Sequence, residues 1–354
     1  MNIAFLEEIL RTNTPSGYEE ELMTVMDKYL SPISDVKYDN MGNCIAISNA
    51  IYPYKVLIMA HCDEIGFQVV GIDENGYVKF RPIGGMIPTY LPGSSVLILN
   101  KKNTIQGCIS YCPIHIQSPN DKKEINFDDL WIDIGVKNKK EAESLISIGD
   151  AIVTDSKPFY SANKERLFSK GLDNKIGVYA MIESFINLVK MDLPISLAIA
   201  ATVQEELGCR GCNAVINQIK PDLVIVLDTG ICGDIPVKID TKFGVVELGN
   251  GPGINYNPTN NKKLNDLILD IAKNNQILHQ KTVGYLINRG TENASIQMLL
   301  NGVITSHICI PIRNMHMPYE ICHIKDIENT IQLLEKTITY LAHMQNKENA
   351  FVPW

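Results

Sequence analysis

The sequence contains no apolar stretch of the eighteen or so residues that a membrane-spanning helix needs. Acidic residues appear at positions 7 and 8, too early to leave room for the apolar region of a secretory signal peptide. Basic residues are not in excess, because 32 Lys and Arg stand against 40 Asp and Glu and give a formal net charge of −8. These absences speak against a membrane protein and against nucleic-acid binding as the main task.

The chain also lacks the pattern of a small disulfide-rich protein. Its 9 cysteines are odd in number and are scattered over 354 residues. Without a secretory signal they indicate reduced thiols, and we therefore expect a cytoplasmic protein. Cys209 and Cys212 form a Cys-x-x-Cys pair, but no second pair completes a zinc knuckle. We interpret them as small packing residues rather than as a redox or metal motif.

The chain contains two kinds of sequence pattern, one inside residues 67–160 and one outside them. Outside residues 67–160, apolar runs alternate with amphipathic helical patterns, which is typical of an α/β fold. Within residues 67–160, short strand patterns flank turn sequences such as Asn75-Gly76, which indicate hairpins and a small β barrel or sandwich. We predict a three-layer α/β domain, residues 1–66 and 161–354, with a mixed, mostly parallel central sheet flanked by helices. Residues 67–160 are predicted to form an inserted small β-barrel domain.

Residues of the kind that ligate metals follow four of the predicted strands. Apolar runs at residues 54–60, 195–201, 223–227 and 303–310 lead to His61, to Glu205 and Glu206, to Asp228, which should end its strand, and to His316. The carboxyl ends of the strands in an open α/β sheet line one crevice, so these side chains should converge. Asp173 adds a fifth position, because it stands at the N-cap of a predicted helix that runs to about residue 190.

Each of these residues alone has an ordinary structural explanation. A histidine at a strand end and a Glu-Glu pair at the surface are common, and Asp173 could serve only as a helix cap. Together, two histidines and three carboxylates suit two divalent ions of the zinc type, with one glutamate to spare. Burying so much negative charge without a cation would be unfavourable, which favours a metal site over a bare carboxylate cluster. The sequence therefore predicts a dinuclear metal hydrolase.

The Glu205-Glu206 pair and Asp63 are expected to have separate roles at this site. Neighbouring side chains in extended chain point to opposite sides, so one glutamate can hold a ligand while the other acts on it. Asp63 lies two residues after His61 and should share its face of the chain. There it can hydrogen-bond the far ring nitrogen and fix the tautomer of a ligating His61.

Five motifs occur in order along the chain. They are Ala60-His61-Cys62-Asp63-Glu64-Ile65-Gly66, Leu172-Asp173-Asn174-Lys175, Gln204-Glu205-Glu206-Leu207-Gly208-Cys209-Arg210-Gly211, Leu227-Asp228 and Arg313-Asn314-Met315-His316. In this order they resemble the motifs of the M42 family of dinuclear metalloaminopeptidases, the glutamyl-aminopeptidase-like, tetrahedral-shell enzymes. The resemblance covers essentially the whole chain, including the β-rich insertion. It implies that the metal ligands are His61, Glu206, Asp228 and His316, that Asp173 bridges the two ions, that Glu205 is the general base and that Asp63 orients His61.

The resemblance also implies an activity and an assembly. The expected activity is the removal of the N-terminal residue from short peptides by a catalytic domain that holds two divalent ions per subunit. Zinc and cobalt are the first candidates for these ions and manganese is the next. The insertion would mediate dimers that assemble into a homo-oligomeric dodecamer. The chain departs from the usual family residues at Cys62, Lys175, Glu292, Asn314 and Met317, but none of these departures removes a ligand.

Two other classes of function stay open from the sequence. One is a non-catalytic descendant that keeps its metal as a structural or binding element, which the departures near Glu292 and Met317 motivate. The other is an endoglucanase-type glycosidase, a label that some members of this family have carried. A glycosidase needs two carboxyl groups that face each other at about 5–9.5 Å across the scissile bond. The sequence neighbours Glu205 and Glu206 suit that requirement poorly.

Overall fold

The computed structural model describes residues 1–48, 50, 52–101, 103–117, 124–237, 246–283, 291–344 and 351. The α-helices of this part of the chain are α1 Ile3–Leu10, α2 Glu20–Leu30, α3 Lys139–Leu145, α4 Leu172–Leu188, α5 Cys212–Ile219, α6 Lys262–Asn274, α7 Glu292–Ile296 and α8 Ile324–His343. Its strands are β1 Asp35–Tyr38, β2 Cys44–Ile47, β3 Lys55–His61, β4 Gly66–Ile72, β5 Val78–Ile83, β6 Ser95–Leu99, β7 Thr104–Ser110, β8 Trp131–Asp133, β9 Ala151–Thr154, β10 Phe159–Tyr160, β11 Arg166–Ser169, β12 Ser196–Thr202, β13 Leu223–Ile231, β14 Gly253–Asn255, β15 Gln280–Thr282, β16 Ile304–Arg313 and β17 Glu320–His323.

A large mixed sheet forms the centre of the fold. Its strand order is β1-β2-β12-β3-β13-β16-β17-β11-β10, and β14 and β15 join it beside β16. The four central strands, β12, β3, β13 and β16, are parallel to their neighbours within this group. They are the four strands predicted from apolar runs, and their carboxyl ends lie at one edge of the sheet. The predicted mixed, mostly parallel central sheet is confirmed.

Both faces of the parallel strands are covered, which explains why their sequences are continuously apolar. Along β3, Val56, Ile58 and Ala60 belong to a core that includes residues of α1, α2, α4, α6 and α8. The alternate residues Leu57 and Met59 belong to a second core with residues of α5 and α7. Full burial of an aliphatic side chain contributes roughly 1.5–3 kcal/mol, so the side chains on both faces of the strand stabilise the fold. The sheet and its two helical layers form the predicted three-layer arrangement.

Strands β4 to β9 form the second sheet, which closes into a barrel with the order β4-β5-β8-β7-β6-β9. The barrel has its own core, which includes Phe67, Phe80, Val96 and Ile132. The predicted small β barrel is therefore confirmed. The strand β10 follows the barrel and pairs with β11 of the large sheet. The domain boundaries drawn from the sequence at residues 66 and 160 stay a prediction.

In the part of the chain that the structure describes, no helix combines the length and the apolar character needed to cross a membrane. All nine cysteines are described, and all are free thiols. Cys209 and Cys212 are both buried, and the thiol of Cys212 lies 3.1 Å from the backbone carbonyl oxygen of Cys209.

Candidate metal centre

The predicted ligands come together at the carboxyl edge of the parallel strands. His61 is the last residue of β3, and His316 lies three residues after the end of β16. Ligand atoms lie within 4.8 Å of one another in three groups, which are His61 with Asp173 and Asp228, His61 with Glu205 and Glu206, and Asp173 with Glu206 and His316. Each of these groups could hold a metal ion.

The two histidines direct their Nε2 atoms at carboxylates. Nε2 of His61 lies 3.2 Å from Oδ1 of Asp173 and 3.4 Å from Oδ1 of Asp228. Nε2 of His316 lies 3.1 Å from Oε1 of Glu206 and 3.6 Å from Oδ2 of Asp173. Asp173 therefore presents one carboxylate oxygen to each histidine and lies between them.

Backbone carbonyl groups determine the tautomer of both histidines. Nδ1 of His61 lies 3.2 Å from the carbonyl oxygen of Asp63, and Nδ1 of His316 lies 2.6 Å from that of Gly85. A carbonyl oxygen only accepts hydrogen bonds, so each Nδ1 carries a proton and each Nε2 is left to face the carboxylates. A carboxylate beside Nε2 requires a positive charge there, which is either a second proton on the ring or a metal ion in the place of that proton. The donor set therefore fits a metal ion, because this is how a ligating histidine is held.

Burial and close charges shift the protonation of these groups. Burial acts to lower the pKa of His316, but its hydrogen bonds to Asp173 and Glu206 outweigh burial and raise this pKa to about 11. Burial acts to raise the pKa of Asp173, but hydrogen bonds from His316 and His61 hold it well below its ordinary value. Burial and neighbouring carboxylates raise the pKa of Glu205 to about 9, although the positive charge of His61 acts to lower it. The cluster is thus an electrostatic environment suited to a divalent cation.

The Glu205-Glu206 pair lies in a turn and not in extended chain. The N–H groups of Gly208 and Cys209 both donate to the carbonyl oxygen of Glu205, at 2.7 and 2.8 Å. The two side chains do make different contacts, because Oε1 of Glu206 reaches His316 while Oε1 of Glu205 lies 3.2 Å from the thiol of Cys209. The expectation that strand alternation separates them is wrong, because the turn separates them instead.

Asp63 is fully buried and binds the backbone of both glutamates. Its Oδ1 accepts the N–H of Glu205 at 3.0 Å, and its Oδ2 accepts the N–H of Glu206 at 3.1 Å and the hydroxyl of Ser16 at 2.5 Å. Oδ1 also lies 3.4 Å from Nδ1 of His61. The contact to His61 was expected from the sequence, whereas the two contacts to backbone N–H groups were not. They connect the end of β3 to the turn after β12.

Two local predictions about Asp228 and Asp173 are wrong, although both side chains reach the site. Asp228 was expected to end its strand, but β13 continues to Ile231 because it stays paired with β16 beyond Asp228. Asp173 was expected to cap a helix, but α4 begins at Leu172 and no side chain caps it. Asp173 itself has φ −77° and ψ 103°, outside the helical region. Its carboxylate is therefore directed at the histidines and has no capping role.

Sequence reasoning missed two residues that shape this site. Gly85 supplies the carbonyl oxygen for His316 from 231 positions away, and a Cβ at Gly85 would lie 3.3 Å from the histidine Nδ1. Any side chain there would press on the ring, which favours glycine. Glu320 accepts the backbone N–H groups of Asp173 and His316, both at 2.9 Å. In the sequence the Gly84-Gly85 pair indicates only a turn, and nothing links it to His316.

Comparisons with known proteins show the family of the chain. The M42 glutamyl aminopeptidase family matches residues 42–333 of the chain. Lysyl aminopeptidase of Pyrococcus furiosus is 31% identical over 343 residues, which cover 96% of this chain and 97% of that protein. Among solved structures, the TET aminopeptidase of the marine sediment archaeon Thaumarchaeota archaeon SCGC AB-539-E09 has a TM-score of 0.91 and 30% identity, and 96% of each chain is covered. The Pyrococcus horikoshii TET1 peptidase, which can assemble into a tetrahedron or a large octahedral shell, has a TM-score of 0.85 and 30% identity, with 94% of this chain and 98% of that chain covered.

The α/β sheet, the barrel and the relatives define the class of the protein, which is that of the aminopeptidase hydrolases. Within this class, the chain belongs to the M42 glutamyl aminopeptidase family. The family resemblance seen in the five sequence motifs is confirmed.

Proposed function

We propose that the protein is a metal-dependent aminopeptidase that removes the N-terminal residue from short peptides, with two divalent ions and with Glu205 as general base. The observation that carries this proposal is the position of Asp173 between His61 and His316, at 3.2 and 3.6 Å from their Nε2 atoms. Family membership supports the reaction, and the histidine-carboxylate cluster supports the metal.

Two ion positions that share Asp173 would account for all the proposed ligands. His61 and Asp228 would complete one position, and Glu206 and His316 would complete the other. Imidazole nitrogen and carboxylate oxygen suit zinc, and the same ligands accept cobalt and manganese. When bound, the ions supply Lewis-acid chemistry, because they polarise the scissile carbonyl and make a water molecule more acidic.

Glu205 is the residue to which we assign proton transfer. It lies among the ligand atoms of His61 and Glu206, and Asp63 holds its backbone N–H. The thiol of Cys209, at 3.2 Å from Oε1, further restricts the direction of its carboxylate. Divalent cations among the neighbouring carboxylates would offset the negative charge that raises the pKa of Glu205. The ionised Glu205 would then accept a proton from the attacking water and deliver it to the leaving amine, a role that contributes about 10²–10⁴-fold in rate.

The substitution Glu205→Gln tests this assignment. Glutamine keeps the size of the side chain but cannot act as the base, so we expect kcat for an amino-acyl amide to fall by about 10²–10⁴-fold. The number of bound ions should stay unchanged. The matched control is Glu143→Gln, at an exposed glutamate of α3, which should keep both properties. Peptide cleavage at the wild-type rate in Glu205→Gln would refute the role of Glu205.

Parallel assays of the wild-type protein separate the proposal from its alternatives. Bound metal without cleavage of any peptide would identify a non-catalytic descendant. Chelator-sensitive cleavage of cellulose without cleavage of peptides would identify a glycosidase. The contact of Glu206 with His316 argues against the glycosidase, because Glu206 is then engaged with a ligand and does not face Glu205 across a substrate bond.

We also propose that the protein forms a homo-oligomer in which the inserted domain, residues 67–160, mediates dimers that assemble into a dodecamer. The assembly of the similar Pyrococcus horikoshii peptidase supports this proposal. So does the exposure of Ile114 and Ile116 in the insertion, at 78% and 75%. Large apolar side chains that are exposed close together are typical of surfaces that another subunit covers.

A further inference from the structure

Glu320 is a buried carboxylate that lies outside the set of proposed ligands but binds the backbone of two of them. It is the first residue of β17 and is 2% exposed. Its Oε2 accepts the N–H of Asp173 and its Oε1 accepts the N–H of His316, both at 2.9 Å. One side chain therefore connects the beginning of α4 with the loop that follows β16.

The loop that carries His316 has a backbone that needs such support. His316 has φ 61° and Asn314 has φ 59°, in the left-handed region that residues other than glycine seldom adopt. Backbone in this region persists only where the surrounding structure holds it. The N–H of Met317 donates to the carbonyl oxygen of Asn314 at 3.0 Å, and the N–H of His316 donates to Glu320. The contact with Glu320 therefore holds the backbone of His316 itself, the residue whose ring faces the site.

The sheet fixes the position from which Glu320 acts. It pairs with Ser169, the last residue of β11, which lies four residues before Asp173. The next residue, Ile321, pairs with Arg313, the last residue of β16. The strand β17 is thus hydrogen-bonded to β11, which leads to Asp173, and to β16, which leads to His316. The carboxylate of Glu320 extends from this strand to both residues.

The two contacts require a carboxylate. Both oxygens of an ionised carboxylate accept hydrogen bonds, whereas an amide has one accepting oxygen and one NH₂ group that only donates. Glutamine at position 320 would therefore leave one of the two backbone N–H groups facing another donor. Either Asp173 or His316 would lose the hydrogen bond that holds its backbone.

We propose that Glu320 is a positioning residue of the metal centre. It fixes the backbone of Asp173 and His316 so that their side chains, together with Glu206, hold one ion. This inference rests on the proposed function, because it takes these three side chains to be ligands.

The chain offers a matched control in Asp326. This buried carboxylate also accepts two backbone N–H groups, those of Gly249 and Gly251, each at 2.8 Å. Neither donor belongs to the proposed ligands. The substitutions Glu320→Gln and Asp326→Asn therefore remove the same kind of interaction, but only the first acts on the metal centre.

Metal-free wild-type protein and both variants are titrated with Co²⁺, and the bound ions are counted by native mass spectrometry while the visible absorption of Co²⁺ is recorded. We expect Glu320→Gln to bind the ion held by Asp173, Glu206 and His316 about 10–100-fold more weakly than the wild type, and to weaken the other ion less, because that ion shares only Asp173 with the disturbed segments. Asp326→Asn should bind both ions with wild-type affinity, although both variants should lower the Tm of the metal-free protein. Wild-type affinity in Glu320→Gln, or an equal loss in Asp326→Asn, would overturn the inference.

A second variant covers the case in which Glu320→Gln does not fold. Glu320→Asp keeps the charge but is one methylene too short to reach both N–H groups, so the same selective loss of one ion is expected. Wild-type Co²⁺ binding in Glu320→Asp would overturn the inference. If the wild type binds two Co²⁺ ions but cleaves no peptide, the proposed activity fails while the Glu320 test stands, since its readout is metal binding. If the wild type binds no Co²⁺, both fail.

Discussion

The side chain of Asp63 makes four contacts at the site. It accepts two backbone N–H groups, from Glu205 and Glu206, and one hydroxyl, from Ser16, and it lies next to the ring of His61. All four contacts require an acceptor, which a carboxylate supplies with both of its oxygens. The buried side chain of Asp63 thus fixes the position of the proposed base, Glu205, relative to the proposed ligand His61.

The substitution Asp63→Asn should reduce turnover because the NH₂ group of asparagine would face a backbone N–H of Glu205 or Glu206. We expect kcat to fall by about 10–100-fold, the usual effect of removing a partner of a metal ligand. Steady-state kinetics on an amino-acyl amide measure kcat and KM, and metal analysis counts the ions. Asp270→Asn, at an exposed aspartate of α6, is the control and should behave as the wild type. Wild-type kcat in Asp63→Asn would contradict the role that we give to Asp63.

The sequence allowed the proposed ligands to be predicted but not the residues that hold them. His61, Glu206 and Asp228 were found because each follows or lies in an apolar strand whose carboxyl end meets the others. Gly85 was missed because its backbone carbonyl contacts the ring of His316 from 231 positions away, and Glu320 was missed because its side chain binds the backbone N–H groups of Asp173 and His316. Such contacts depend on how the chain folds and leave no spacing or composition that a single sequence reveals.

A buried charge cluster connects three elements beside the site. Oε1 of Glu64 lies 2.6 Å from Nζ of Lys170 and 2.8 Å from Nζ of Lys175, and it accepts the N–H of Thr14 at 2.9 Å. Both lysines also donate to the carbonyl oxygen of Thr12, at 3.0 and 2.7 Å. The end of β3, the segment after α1 and the beginning of α4 are therefore fixed to one another.

Removing the charge of Glu64 should destabilise the fold because two buried lysines would lose their counter-charge. We expect Glu64→Gln to lower the free energy of unfolding by about 3–5 kcal/mol, measured by urea denaturation of the metal-free protein. Glu74→Gln is the control, because Glu74 pairs with Lys139 at 3.4 Å on the exposed surface and should change stability by less than about 1 kcal/mol. Equal effects of the two substitutions would contradict this account.

The pH dependence of this cluster follows from the pKa of Glu64. Burial acts to raise this pKa, but the charges of Lys170 and Lys175 outweigh burial and lower it from 4.5 to about 2. A carboxyl group whose pKa is lower in the folded state stabilises the fold above its unfolded pKa and stops doing so as the pH falls. The difference in stability between the wild type and Glu64→Gln should therefore shrink between pH 4.5 and 2.

The elements that were predicted well are the ones buried on both faces. β3, β12, β13 and β16 have long apolar runs because helices cover both sides of the sheet. The strands β1, β10, β11, β14, β15 and β17 were not predicted. They have two to four residues each, too few for a periodic pattern, and only their partners in the sheet define them.

At the scale of the whole molecule, the account predicts a large assembly. Sedimentation velocity of the wild-type protein should show a species of twelve chains. A protein with Ile114→Asp and Ile116→Asp should sediment as a smaller species, because a charge in a subunit interface is unfavourable. A wild-type protein that sediments only as a monomer would contradict the proposed assembly but would leave the proposed chemistry untouched.

If the proposed function is right, peptide cleavage requires metal ions held by His61, Asp173 and their neighbours. Hydrolysis of a panel of amino-acyl chromogenic amides can be measured with metal-free protein that is reloaded stepwise with Zn²⁺, Co²⁺ or Mn²⁺. We expect no hydrolysis without metal and a return of activity as the number of bound ions approaches two per chain. Amides with a blocked N-terminus should not be cleaved at any metal content. Full activity in the metal-free protein would contradict the account.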